Sequence, residues 1–119
     1  MSWQVEYTDE FEAWWDGLTA EEQDRITTGV EKLEQQGPAL GRPWVDTIKM
    51  SRHPNMKELR PRGGHLRVLF AFDPRRLAIL LIGGDKGGRW ETWYEQVVPV
   101  ADQLYDDHLD TLKHERELP

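Results

Sequence analysis

The chain contains no cysteine, which excludes a disulfide framework, a thiolate nucleophile and a cysteine-based zinc site. Its four histidines show no HExxH-type spacing, so we expect no metal and no other cofactor. The longest apolar run, Leu77–Ile82, is far shorter than the ~20 residues that a membrane-spanning helix needs. The first residues, MSWQVEYTDEFE, are polar and acidic, unlike a signal peptide. We therefore expect a cytoplasmic protein that has no membrane partner.

Length and composition predict one soluble domain. The 119 residues are enough for a hydrophobic core, and we expect residues 1–119 to form a single domain. A hydrophobic content of 38% and a charged content of 31% are typical of a small globular protein. The sequence has no internal repeat and no low-complexity linker that would divide it.

The net charge of −7 is distributed unevenly along the chain. Ile48–Arg89 has ten Lys and Arg against three Asp and Glu, whereas Met1–Thr47 has three against eleven and Trp90–Pro119 has two against eight. Salt screens exposed charges beyond roughly 8 Å, so a local cationic surface can attract phosphates although the whole chain is acidic. The basic middle third therefore indicates a surface that handles phosphate groups.

Hydrophobic periodicity predicts the element order β-α-α-β-β-β-α, an α+β arrangement. Thr8 caps a helix that begins at Asp9, and the capping box TAEE (Thr19–Glu22) starts a second one. The dipeptide Gly37-Pro38 ends the second helix, so the two form an αα-hairpin. The strands in this order are Trp3–Tyr7, Met56–Leu59, His65–Phe72 and a central strand Leu77–Ile82, and Ile48–Ser51 is predicted to be a further short strand.

The remaining segments are predicted to be loops and a last helix. Ala39–Thr47 is predicted to be a loop, and Gly83–Gly88, with the sequence GGDKGG, a flexible one. Trp90–Val98 fits neither pattern clearly, and Pro99 suits the first turn of the last helix.

Basic residues on the predicted strands converge on one face. The period of two in His65–Phe72 places His65 and Arg67 on one face and an apolar set on the other, and Arg60 approaches Arg67 across a hairpin. Clustered like charges repel, so such a cluster indicates an anion site, although a solvated sheet face is the alternative. The cluster consists of Lys57, Arg60, Arg62, Arg67 and Lys86.

Histidines and aromatic residues extend this candidate site. His65 is a candidate general base because its ordinary pKa of ~6.5 lies near neutral pH, and the alternative is a surface residue. His53 is a weaker candidate, and His108 and His114 are expected on the solvated surface of the last helix. The glycine-rich loop is followed by Trp90, Trp93 and Tyr94. These aromatic side chains either stack on RNA bases or pack in the hydrophobic core.

Three stretches, MKELRPRGGHLRVLFAFD, LAILLIGGDKGG and WYEQVVPVADQLYDDHL, resemble the RelE/ParE toxin superfamily, in particular its HigB-like branch. The resemblance implies a RelE-like, microbial ribonuclease-like fold in which an N-terminal strand and an αα-hairpin pack on a small, mainly antiparallel sheet, followed by a C-terminal helix. It implies the toxin of a type II toxin–antitoxin pair, bound by a cognate antitoxin that often carries a helix-turn-helix domain. It also implies metal-independent mRNA endoribonuclease activity on the ribosome, with inhibition of translation and growth arrest.

The resemblance also implies roles for individual residues. The family's basic catalytic residues fall on Lys57, Arg60, Arg67 and Lys86, its histidine on His65 or His53, and its aromatic residue on Trp93 or Tyr94. We expect Arg67 and Lys86 to hold the phosphate, Lys57 and Arg60 to position the backbone or share in proton transfer, and His65 to be a base. The expected RNA-binding residues are Arg62, Trp93, Tyr94 and Arg89.

Two features depart from the family's usual pattern: the acidic net charge and the long acidic last helix, ADQLYDDHLDTLKHERE. Two alternative functions with this fold stay open. One is a ParE-like inhibitor of DNA gyrase, and the other is a non-catalytic RNA- or protein-binding domain with the same fold.

Overall fold

A computed structural model describes residues 2–115 as a five-stranded sheet between a helical hairpin and a long helix. The strands are β1 (Val5–Tyr7), β2 (Val45–Thr47), β3 (Lys57–Leu59), β4 (Leu66–Phe72) and β5 (Ala78–Asp85). The helices are α1 (Asp9–Asp16), α2 (Ala20–Gln36) and α3 (Trp90–His114), with one 3₁₀ turn at Gly37–Ala39. In the described part of the chain no helix is long and apolar enough to cross a membrane.

The sheet is mainly antiparallel, in the order β1-β5-β4-β3-β2, and only the β1–β5 pair is parallel. Alternate residues of β4 and β5 point to opposite faces. Val68 and Phe70 pack under the helical hairpin, whereas Leu69 and Ala71 pack under α3. Both faces of β5 are buried, which confirms a central strand in this region and the predicted α+β fold.

The helical hairpin begins and ends as its sequence predicts. The Thr8 side chain accepts a hydrogen bond from the amide of Phe11 at 3.0 Å, and its hydroxyl donates to the carbonyl of Leu81 at 2.6 Å. Thr19 and Glu22 form both hydrogen bonds of a capping box. Gly37 ends α2 with a φ of 56°, where a side chain would also collide with the ring of Trp3.

The strand predicted at Ile48–Ser51 is wrong, and the strand lies three residues earlier, in the segment predicted to be a loop. Ile48 already leaves β2, and its amide donates to the carbonyl of Met56 at 2.9 Å across the turn. The Ser51 hydroxyl donates instead to the carboxylate of Asp102 on α3. Val45 is buried in the core beneath the helical hairpin, and this burial sets the position of β2. The apolar pattern of so short a segment does not show which of its residues is buried.

Pro99 lies inside α3, and the prediction that it opens the last helix is wrong. A proline within a helix removes one backbone hydrogen bond and crowds the preceding turn. The helix continues because Val98, Ala101 and Tyr105 on either side of the proline are buried against the sheet. Trp90–Val98, which sequence patterns left ambiguous, is therefore the first part of α3.

The first half of the glycine-rich segment is strand rather than flexible loop. Gly83 and Gly84 continue β5 and pair with Val68 and Arg67 of β4. A Cβ at Gly83 would lie 2.2 Å from the ring of Trp14, and one at Gly84 would lie 2.6 Å from Nε1 of Trp93. These two glycines are needed because indole rings cover both faces of the strand.

Candidate nucleic-acid interface

The buried carboxylate of Glu58 is the centre of the basic cluster. Glu58 lies on the α3 face of β3 and is 3% exposed. The hydroxyl of Tyr94 donates a 2.5 Å hydrogen bond to its Oε1. Nε of Arg67 lies 3.4 Å from Oε1, and Nη2 of Arg60 donates to Oε2 at 3.3 Å. One carboxylate therefore contacts two of the predicted catalytic cations and one predicted aromatic residue.

The strand register explains why the two arginines meet. Leu59 of β3 pairs with Val68 of β4, so the next residue on each strand brings Arg60 and Arg67 opposite each other. The expectation that they approach across a hairpin is confirmed by their shared contact with Glu58.

Tyr94 is a hydrogen-bond donor at neutral pH. Burial of its phenol, with the hydrogen bond to Glu58 and the charge of that carboxylate, raises the pKa of Tyr94 to about 12, although nearby Arg67 acts in the opposite direction. The phenol therefore keeps its proton, and its oxygen still has lone pairs that can accept a hydrogen bond.

A cleft of about 480 Å³ opens beside this cluster, between the β2–β3 side of the sheet and the start of α3. Nη2 of Arg42 lies 2.8 Å from Oδ2 of Asp46, and Nη2 of Arg60 lies 3.2 Å from the same atom. The hydrogen bond from Arg42 is the main cause that lowers the pKa of Asp46, against its partial desolvation. The cleft is lined by Arg42, Asp46, Thr47, Ile48, Lys49, Met50, Glu58, Arg60, Lys86, Trp90 and Tyr94.

Arg67 lies deeper than the sequence predicted. Its side chain is 12% exposed and is not among the residues that line the cleft. Its Nη1 donates to the carbonyl of Leu66 at 2.7 Å, while the buried Nε atoms of Arg67 and Arg60 have no hydrogen-bond partner among residues 2–115. The cations that line the cleft are therefore Arg42, Lys49, Arg60 and Lys86, and Arg67 lies beneath them.

The three aromatic residues that begin α3 occupy different environments. Trp90 is 50% exposed at the rim, and Nζ of Lys86 lies 5.9 Å from its ring centroid. Trp93 is partly buried against Gly84 and the α3-side core, with its ring 5.0 Å from that of Tyr94. Trp90 therefore offers the ring most available to a base, whereas Trp93 is largely a packing residue.

The structure does not bring every predicted site residue into the cleft. Lys57 shares a face of β3 with Leu59, which packs under the helical hairpin, so it lies on the opposite side of the sheet from Glu58. The guanidinium of Arg62 lies 5.8 Å from the ring centroid of Trp44, on the same hairpin side.

His65 and Arg89 are exposed and do not line the cleft. The carbonyl of His65 accepts a 3.0 Å hydrogen bond from the amide of Lys86, so its backbone is next to a cation of the cleft. Arg89 precedes α3, and its side chain makes no capping hydrogen bond. Their roles in catalysis or RNA binding stay predictions.

Two other histidines are structural. The expectation that His108 is a solvated surface residue is wrong, because its Nε2 lies 2.9 Å from Oδ2 of the buried Asp73. His53 makes a 2.8 Å contact from Nε2 to Oδ1 of Asp106, which attaches the β2–β3 turn to α3 outside the cleft. His114 is exposed and contacts the carbonyl of Asp110, as expected for a surface residue. No group of three or more His, Asp and Glu side chains within residues 2–115 is placed to bind a metal ion.

Sequence reasoning missed Glu58 and Arg42 as members of the site, and it left open whether Trp90 stacks on a base or lies in the core. For Glu58 a signal was available, because the period of two in a strand puts residues 58 and 60 on one face. For Arg42 the sequence offers no such signal, because this residue lies in a loop whose conformation depends on where β2 begins. Trp90 follows the glycine-rich segment directly, and its exposure depends on α3 beginning there.

Comparisons with known proteins identify relatives. Residues 13–106 match the family described as Phage derived protein Gp49-like (DUF891). Two Mycobacterium tuberculosis proteins named as candidate toxins are similar, each 49% identical: HigB2 over 100 residues and HigB3 over 98. Both alignments cover 82% of this chain, but only 50% of HigB2 against 86% of HigB3, so the chain spans about half the length of HigB2. The archaeal RelE–RelB complex from Pyrococcus horikoshii contains a chain with the same fold (TM-score 0.57, 18% identity, 74% of this chain and 99% of that chain).

Proposed function

The chain belongs to the phage-derived Gp49-like family, within the RelE-like toxin superfamily, and from this membership we propose that it is the toxin of a type II toxin–antitoxin pair that cleaves mRNA on the ribosome. The names of HigB2 and HigB3 support the toxin role. The RelE–RelB complex supports a protein partner such as an antitoxin, because a chain of the same fold forms a complex with a second protein there.

The observation that carries the nuclease proposal is the cationic cleft between Arg60, Lys86 and the exposed ring of Trp90. A single-stranded RNA needs cations for its phosphates and a flat ring for a base. An inhibitor that binds a protein surface needs neither in one concave site. The helices carry most of the acidic residues, which leaves this cleft as the cationic surface for RNA.

The proposed reaction is attack of a ribose 2′-OH on its own phosphate. The bond from O2′ to phosphorus forms, the bond from phosphorus to O5′ breaks, and the products end in a 2′,3′-cyclic phosphate and a 5′-hydroxyl. The proton of the 2′-OH passes to a base, and O5′ receives one. Arg60 and Lys86 balance the extra charge of the transition state, which is usually the largest contribution to such catalysis.

Two side chains are candidates for the proton transfers. The phenol of Tyr94 is protonated at neutral pH and lies in the cleft wall, so it can donate a proton or a hydrogen bond to the departing O5′. His65 is the proposed base, because it is an exposed residue whose backbone carbonyl accepts a hydrogen bond from the amide of Lys86, where β4 begins and β5 ends. The ribosome would orient the message in line, and this supplies much of the rate enhancement.

Cleavage of a defined mRNA by the purified protein, with and without programmed ribosomes, tests the proposal. We expect cuts only with ribosomes, and fragments that carry 2′,3′-cyclic phosphate and 5′-hydroxyl ends. Lys86→Ala should reduce cleavage about 100-fold, since one preorganised charge is removed from the phosphate.

The matched control is Lys113→Ala, which removes an exposed Lys from the last turn of α3, about 28 Å along the helix axis from Tyr94. It should cleave like the wild type. Intact mRNA together with inhibited DNA gyrase would instead support the ParE-like alternative.

A further inference from the structure

Glu58 is an anion at the centre of a site proposed to bind anions. It is 3% exposed, so solvent does not screen its charge, and its two oxygens contact Arg60, Arg67 and the hydroxyl of Tyr94. A phosphate that entered the cleft would be attracted to the same two guanidinium groups. Glu58 and the phosphate therefore compete for them.

The same contacts also orient the cations. Two guanidinium groups this close repel each other unless an anion lies between them. The Nε atoms of both arginines are buried and have no hydrogen-bond partner among the described residues, so a phosphate in the cleft reaches the exposed part of Arg60, whose side chain is 34% exposed against 12% for Arg67. A phosphate can therefore bind beside the carboxylate or displace it from one arginine, while the cluster keeps its arrangement.

We propose that Glu58 is a positioning residue that stands in for the RNA phosphate in the free protein: it holds Arg60, Arg67 and Tyr94 in their working arrangement and weakens the binding of RNA outside the ribosome. This inference rests on the proposed function, because it takes RNA as the ligand of the cleft. Asp46 also helps to orient Arg60, but it does not contact Arg67. Its Oδ2 lies 3.2 Å from Nη2 of Arg60, and its side chain is more exposed than that of Glu58.

Glu58→Gln separates the two effects. The amide keeps the size of the side chain and an acceptor for Tyr94, but it removes the negative charge. We expect a 2′-O-methyl oligoribonucleotide, which has no free 2′-OH and is not cleaved, to bind the isolated protein about five- to tenfold more tightly. We expect kcat for cleavage of ribosome-bound mRNA to fall about tenfold or more, because the arginines lose their arrangement.

Opposite changes in affinity and in kcat distinguish this role from a purely structural one, which would weaken both. Glu31→Gln is the matched control, since it makes the same change of net charge on α2, outside the cleft. It should leave oligonucleotide affinity within about twofold of the wild type, at an ionic strength where charges beyond roughly 10 Å are screened.

Two further variants test the same proposal if Glu58→Gln does not fold. Tyr94→Phe keeps the charge of Glu58 and removes one hydrogen bond, so kcat should fall without tighter binding. Glu58→Asp keeps the charge and moves it away from the guanidinium groups, so it should shift affinity in the same direction as Glu58→Gln but less.

Unchanged or weaker oligonucleotide binding by folded Glu58→Gln overturns the inference. A wild-type protein that does not cleave mRNA on ribosomes overturns the proposed function instead. Tighter binding by Glu58→Gln would then still establish the competition between Glu58 and RNA phosphate.

Discussion

Glu58 and Asp73 are buried carboxylates, and each brings together residues from distant parts of the chain. Asp73 follows β4, and its side chain is fully buried. Its oxygens accept hydrogen bonds from the amide of Leu77, the guanidinium of Arg75 and the imidazole of His108. This cluster joins the β4–β5 turn to α3, whereas Glu58 joins β3 and β4 to the start of the same helix.

The charge of Asp73 makes stability depend on pH in a defined direction. Burial raises the pKa of Asp73, but the hydrogen bonds from His108, Arg75 and Leu77 together outweigh it, so the pKa lies below 3.8 in the folded protein. A carboxyl whose pKa falls on folding stabilises the protein above pH 3.8, and this contribution disappears as pH falls through the folded value.

We therefore expect Asp73→Asn to lower the free energy of unfolding by about 3 kcal/mol at pH 7, because it removes a buried charge that accepts hydrogen bonds from Leu77, Arg75 and His108 and leaves Glu6 as the carboxylate partner of Arg75. The difference from the wild type should shrink as pH falls through the lowered pKa of Asp73, where the wild-type carboxyl itself takes up a proton. Urea unfolding at pH 7 and in strong acid measures this. The exposed Asp110→Asn is the control, and an equal loss from Asp73→Asn at both pH values would contradict the explanation.

At the residue scale, the sequence predicted contacts that follow from strand geometry and missed those that depend on tertiary packing. The period of two and the hairpin predicted that Arg60 meets Arg67, because these are local rules. The same period of two places Lys57 and Glu58 on opposite faces of the short strand β3, so the sequence also contains the signal that Lys57 lies away from Arg60. The partner of His108 was unpredictable, since it lies 35 positions away in the sequence.

At the scale of elements, close packing of indole rings on β5 replaces the flexibility that its glycines suggested. Gly84→Ala should displace the ring of Trp93 and lower the free energy of unfolding by about 1–3 kcal/mol, because the added Cβ has no room. Tryptophan fluorescence and chemical unfolding measure both effects. Gly88→Ala, which has no atom within 4 Å of its added Cβ, is the matched control. Equal stability of the two variants would show that Trp93 does not cover β5.

Helix α3 is longer than predicted because its buried face outweighs a local helix breaker. Pro99 is exposed and lies in the helix interior. Pro99→Ala restores a backbone donor, and we expect it to raise the free energy of unfolding by about 1–2 kcal/mol, after allowance for the greater freedom of the unfolded chain. A thermal unfolding scan measures this, and a lower melting temperature would contradict it. Elements with strong caps, such as α2, were predictable, whereas β2 and the start of α3 depend on which surfaces they bury.

At the scale of the whole molecule, a protein with an acidic net charge presents a cationic cleft. Its opening carries Arg42, Lys49, Arg60 and Lys86. If all four engage phosphates, log Kd for single-stranded RNA should rise with log salt concentration with a slope of about 3, since each neutralised phosphate releases about 0.7 of a counterion. Lys49→Ala should lower that slope by about 0.7. Binding titrations from 50 to 200 mM salt measure the slope, and a flat dependence would mean that the cleft does not bind the RNA backbone.

If this cleft cuts messages during translation, brief expression of the protein should create new 5′-hydroxyl ends in cellular mRNA, and mapping those ends detects the cuts. The wild-type protein should produce new ends within translated reading frames, and a folded Arg60→Ala/Lys86→Ala variant that expresses at the same level should produce none. Growth arrest by the wild type with intact mRNA, or undiminished cutting by the double variant, would contradict the account.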